Sequence, residues 1–207
     1  MPRNRSGRSV IQSAIDIKRW QQQPPTVVEA RPARCPACGT ASCPLGGAIQ
    51  LQGHGTRERQ VWGPTSPDRP AEQISVLGRR YRCLCCEAVL LVVPRGVLGL
   101  RMYSAAAIGL ALALWGLALA TAAEVRRRVG PAKILGDSAV SGWATLRRWA
   151  REVAQRRLFA QAPDPGPSAS LRQSAASAAA SLAASADPTT RPLPIEHRAF
   201  FGAAHAA

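Results

Sequence analysis

Two pairs of cysteines with one spacing constrain this chain more than any other feature. Cys35-Pro36-Ala37-Cys38 and Cys83-Leu84-Cys85-Cys86 are both Cys-x-x-Cys loops. Such a loop wraps a short turn around one ion and offers it two thiolates. Two loops complete the four-coordinate shell that Zn2+ takes in structural sites. Residues 39–82 separate the pairs, more than the common spacing of about 15–20 residues. Glycines and prolines concentrated at 53–70 make the excess loop-like. The expected ligands are Cys35, Cys38, Cys83 and Cys86, and a set that includes Cys85, Cys43 or His54 stays open. Gly39 relaxes the first knuckle, whereas Glu87 stands at the matching place after Cys86. A redox dithiol is the rival reading. It would need a thiolate beside a helix start, and neither pair leads into a clear helix. Four thiolates leave no position for water, so the expected zinc is structural and substitutes for the core that a small β-ribbon lacks.

The opening stretch MPRNRSGRSVIQSAID has no long apolar segment of the kind that directs secretion. The thiols are therefore expected in a reducing cytoplasm, where clustered cysteines point to metal sooner than to disulfides. The net charge is +15, from 27 basic and 12 acidic residues, and Lys18 and Lys133 are the only lysines. Arginine suits bidentate contacts to phosphate and guanine. The expected partner is a polyanion, with duplex DNA first and an anionic membrane second.

Along the chain, residues 1–34 read as a weakly structured basic arm. Val10, Ile11, Ala14 and Ile15 suggest a short amphipathic helix near 9–22, stopped by Pro24 and Pro25. Residues 35–96 read as a zinc ribbon of short strands, at 49–52, 59–62, 74–77, 80–82 and 89–93. Residues 97–160 read as a three-helix helix-turn-helix unit. Residues 161–207, rich in Pro, Ala and Ser, read as a mostly disordered tail, although SASLRQSAASAAASLAASA has the alanine content for a marginal helix.

The run from Met102 to Ala123 carries no charge. As one helix it would cover about 33 Å, enough to span a bilayer. Three features favour a buried helix from Ser104 to about Leu117 instead. Alanine dominates the run, both flanks are basic, and Thr121-Ala122-Ala123-Glu124 is a capping box that starts a second helix inside it. Gly130 and Pro131 end that second helix. After a linker, a third helix is expected from Gly142 or Trp143 to about Phe159. Leu146, Trp149, Ala150 and Val153 share one face of it, and Arg147, Arg148, Arg151 and Gln155 share the opposite face. With Thr145, these arginines suit a helix that reads a DNA groove, and Arg126, Arg127 and Arg128 could hold phosphates. The plainer reading is a solvated amphipathic helix. Residues 130–141 are longer than the 3–4-residue turn usual in a helix-turn-helix.

The order of Cys35-Pro36-Ala37-Cys38-Gly39, GRRYRCLCC, VVPRG, YSAAAIGLALALWG and TLRRWARE resembles small bacterial proteins with a transposase-type zinc ribbon and a helix-turn-helix, related to insertion sequences. The resemblance covers about residues 35–158. It implies an α+β protein with structural zinc, DNA binding through the third helix, a nucleoid location in the cytoplasm, and a transposase or integrase encoded elsewhere as partner. The departures are Glu87 after the second knuckle and the long 130–141 linker. Full transposases of this kind carry three acidic residues on a ribonuclease-H-like domain. Beyond the third helix only Asp164, Asp187 and Glu196 are acidic, so no enzyme is expected. The competing readings are a single-span membrane protein with a cytoplasmic ribbon, and a ribbon that binds RNA or protein.

Overall fold

The apolar run Val89-Leu90-Leu91-Val92-Val93 organises the first part of the molecule. The computed structural model describes residues 9–130 and 142–206, except 165 and 167. Over these residues the protein is mixed α/β, with a four-stranded sheet and six α-helices. Two compact units divide the chain, residues 1–60 with 75–99, and 61–74 with 100–207.

The sheet order is β1-β4-β3-β2, with β1 Ser9–Asp16, β2 Leu51–Gly63, β3 Glu72–Cys83 and β4 Val89–Arg95; all of it but residues 61–63 of β2 and 72–74 of β3 belongs to the first unit. β4 lies between β1 and β3 and is buried on both faces, as an unbroken apolar run requires. It runs antiparallel to β3, with Tyr81 opposite Leu90, and parallel to β1, with Ile11 opposite Val92. The expected helix over 9–22 is thus corrected to a strand followed by a short helix, α1 Ile17–Gln22. Val10, Ile11 and Ile15 are β-branched and fit a pleated surface better than a helix. β4 also gives them an edge to pair with. Asp16 then accepts a hydrogen bond from the Arg19 amide at 2.9 Å and starts α1. The residues from 9 onward are therefore not a loose arm. Trp20, Ala30, Cys35, Leu51, Tyr81, Cys83, Leu90 and Val92 form the core of this unit, with Ile11 and Ile15 against it.

The second unit is helical. α2 Ala105–Gly116 is capped by Ser104, whose Oγ accepts from the Ala107 amide at 3.1 Å. Every residue from Ala105 to Ala113 is buried, so α2 is a core helix, apolar on all sides. Leu119 turns the chain with φ +57°, and the Thr121–Glu124 capping box opens α3 Ala122–Val129. The apolar run is therefore broken as expected. No helix among the described residues is long and apolar enough to cross a membrane. α4 Ala144–Ala154 follows. It stops short of Phe159, because Arg156 takes φ +55° and folds Leu158 and Phe159 back into the interior.

The expected disordered tail is corrected as well. Residues 171–205 form α5 Leu171–Ala184 and α6 Ile195–His205, which pack on each other and on α2. Their composition is low in bulk, but bulk is not what holds them. Gly109 of α2 touches Ala199 and Ala203 of α6, Gly116 of α2 touches Ala175 and Ala176 of α5, and Gly202 of α6 touches the backbone of Leu182. Glycine and alanine let these backbones approach closely, and close approach multiplies dispersion contacts that larger side chains would hold apart. Ser170 and Gln173 form a second capping box at the start of α5. Arg172 lies 5.2 Å over the Trp115 ring, joining α5 to α2 by a cation–π contact.

Trp62, Tyr103, Trp143 and Trp149 form an edge-to-face aromatic cluster in the same unit, with centroids 5.0–5.7 Å apart. Arg101 and Glu152 pair at 2.7 Å beside α4.

Candidate metal centre

Each cysteine pair sits in the same backbone turn. In the first, the Gly39 amide donates to the Cys35 carbonyl at 2.8 Å and the Cys35 amide to the Thr40 carbonyl at 2.9 Å. In the second, the Glu87 amide donates to the Cys83 carbonyl at 2.9 Å and the Cys83 amide to the Ala88 carbonyl at 3.0 Å. Both turns need a left-handed residue after the second cysteine. Gly39 supplies it with φ +75° and Glu87 with φ +61°. The glutamate that looked like a departure therefore takes the glycine's conformation. Its carboxylate meets the Arg82 guanidinium at 2.9 Å, which ties the strained residue to β3. The first cysteine of each turn, Cys35 and Cys83, is buried; Cys38 is exposed and Cys86 half-buried.

The four sulfurs lie within 4.8 Å of one another, with Cys35 to Cys86 and Cys38 to Cys83 each at 3.7 Å. None is in a disulfide. Four sulfurs about 2.3 Å from a central ion in a tetrahedron would be about 3.8 Å apart. The spacing fits a metal ion coordinated by four thiolates, so this cluster could hold one. Cys85 and Cys43 are exposed, and Cys43 accepts from Arg31 Nη1 at 3.4 Å. Those two and His54 lie outside the cluster, which is the only such group among the described residues.

Without an ion the thiols differ. The Thr40 hydroxyl and amide hold Cys38 down to about 6. Burial raises Cys35. For Cys86, the Ala88 amide favours the thiolate, but burial and the neighbouring sulfurs outweigh it and push the group up to about 12. A cation bound at the centre would draw all four to the thiolate form. Thr40 and Ala88 are residues that the cysteine spacing alone does not reveal. Their signal is the matched position two residues after each second cysteine.

The expected DNA-contacting residues lie in the second unit. Leu146, Trp149, Ala150 and Val153 are buried, and Arg147, Arg148, Arg151 and Gln155 are exposed on the other side of α4. Thr145 is half-buried. On α3, Arg127 is exposed, while Arg126 and Arg128 are half-buried, and the Arg128 guanidinium donates to the Pro67 carbonyl. α4 rests more on α5 than on α2 or α3. The linker from Ala132 to Ser141 lies outside the described residues.

The comparisons add no relative: no family model, no curated protein and no solved structure matches this chain.

Proposed function

We propose that this is a non-catalytic, zinc-stabilised protein that binds duplex DNA, derived from a mobile element and acting as an accessory factor or regulator at the nucleoid. One observation carries the reading. α4 turns a face of Arg147, Arg148, Arg151 and Gln155 to solvent while its Leu146/Trp149/Ala150/Val153 stripe is sealed in a core. A helix anchored so firmly on one side holds its guanidinium groups at low entropic cost, as a groove-reading helix must. Arg127 supplies a further cation on α3. Zn2+ is the ion that best suits a four-thiolate tetrahedron, and a closed shell of this kind has no open position for catalysis. A transposase or integrase encoded elsewhere is the protein partner this reading suggests.

The reading is tested by measuring duplex affinity against salt. A steep negative slope of log K against log salt is expected, and Arg148→Ala with Arg151→Ala should weaken binding about tenfold or more without loss of helix. A flat salt response, or a double variant that binds like the parent, rejects it. One zinc per chain, lost in Cys83→Ser, is the companion result.

A further inference from the structure

At the end nearest the cysteine pairs, residues 51–57 with 79–83, the β2–β3 ribbon has two unlike faces. One is sealed. It carries Leu51, Tyr81 and Cys83 into the core, and residues 25–30 cross over it. The Tyr81 hydroxyl donates to the Val27 carbonyl at 2.7 Å, Arg79 Nε donates to the Pro25 carbonyl at 2.8 Å, and Gly53 touches the Val27 side chain.

Side chains alternate along a strand, so Arg80 and Arg82 project from the other face of β3. On β2 the alternation shifts at Gly55, whose φ of +81° marks a bulge. Before it, Leu51 and Gly53 are on the sealed side, which leaves Gln52 and His54 on the outer one. Beyond it, Glu58 accepts from the Ser75 hydroxyl, and Ser75, itself exposed, is on the same side of β3 as Tyr81. Arg57 therefore joins the outer face.

By the same alternation that face also holds Arg59, Val61, Val76 and Gly78; it is closed along Val61, Val76 and Gly78, which are buried, and Arg59 donates to the Leu98 carbonyl at 3.3 Å. What it leaves open is the end carrying Gln52, His54, Arg57, Arg80 and Arg82, of which only Arg80 is half-buried and the rest are exposed. The acidic residues of this unit are Asp16, Glu29, Glu58 and Glu87. Asp16 caps α1, Glu29 accepts from the Thr26 amide, Glu58 is on the opposite face, and Glu87 neutralises Arg82 alone. Among the described residues, the guanidinium groups of Arg57 and Arg80 have no hydrogen-bond or ion-pair partner.

We infer that the outer face of the β2–β3 ribbon is a second DNA contact, one that grips the phosphate backbone through Arg57 and Arg80. Charge complementarity selects this occupant: an exposed end of a sheet face with unpaired guanidinium groups and amide and imidazole donors matches phosphate oxygens. Nothing on it offers a pocket for a base edge, so its role is to position the duplex and add affinity without sequence preference.

The inference rests on the DNA-binding reading, and the test separates the two. The zinc-loaded full chain is titrated with a 20-base-pair duplex at several salt concentrations. Arg57→Ala with Arg80→Ala should lower the salt slope by about 1.8, at about 0.9 per phosphate released, and weaken binding roughly tenfold or more, with zinc content and circular dichroism unchanged. If this pair keeps the parental slope while Arg148→Ala with Arg151→Ala lowers it, the ribbon contact is overturned and the reading of α4 stands. If neither pair changes the slope, or the parent does not bind duplex, both fall. Should the alanine pair lose its zinc, Arg57→Glu at its exposed site decides alone: a reduced slope supports the contact, and an unchanged slope overturns it.

Discussion

The two units reach stability by opposite means. The first has a core of few large side chains, Trp20, Tyr81, Leu51 and Leu90 among them, and its two knuckles are brought together at four sulfurs. The second has no cluster of metal-binding side chains among its described residues and closes on shape, with Gly109, Gly116 and Gly202 at helix contacts and an aromatic cluster beside α4. If its four sulfurs hold zinc as proposed, the first can be undone by removing one ion. The second can be undone only by adding or deleting atoms at particular contacts. The difference teaches that composition is a poor guide to order: the alanine-rich end of this chain is helical and buries Ala175, Ala178, Ala179 and Leu182 completely.

The strongest test of the contrast is metal removal. A structural zinc contributes about 10–16 kcal/mol to folding in small zinc domains. A strong chelator, or Cys83→Ser, should melt the ribbon unit and leave the helical signal in circular dichroism in place. Loss of both together in one transition would erase the contrast. Next in size, Trp149→Ala should cost about 3–5 kcal/mol, read as a lower melting temperature of the helical transition with zinc content unchanged. Gly202→Ala should cost about 1–3 kcal/mol by forcing α6 away from Leu182; if denaturant melting shows no loss, the close contact is not what holds α5 and α6. Glu87→Gly should shift stability by less than about 1 kcal/mol. It relieves a left-handed glutamate and gives up only a solvent-exposed ion pair with Arg82. A large loss on zinc-loaded protein would show that the two knuckles are not equivalent. Smallest of all, Cys85→Ser should leave zinc stoichiometry and melting unchanged, because Cys85 is exposed and outside the sulfur cluster.

The features legible in the sequence were those written in neighbouring residues. The matched Cys-x-x-Cys pairs, the Thr121–Glu124 box and the Leu146/Trp149/Ala150/Val153 stripe all depend on spacings of three or four residues, and each reappears in the structure. What escaped was settled by partners far away. Val10, Ile11 and Ile15 fit either a helix or a strand by pattern, and β4 decides between them. The tail looked unable to bury much because hydropathy measures side-chain transfer and not how near two backbones can come. Glu87 looked like a departure because residue type does not report φ.

The parallel pairing of β1 with β4 has a consequence in time. Residues 17–88 separate the two strands, and at about 5–20 residues per second of synthesis β1 waits roughly 4–14 s for its neighbour. Cys35 and Cys38 wait about two-thirds as long for Cys83 and Cys86. Throughout that interval β1 is an unpaired edge, open to wrong partners. Cys86 and Leu90 emerge within a few residues of each other, so closure of the four-sulfur cluster and docking of the first strand become a single late event.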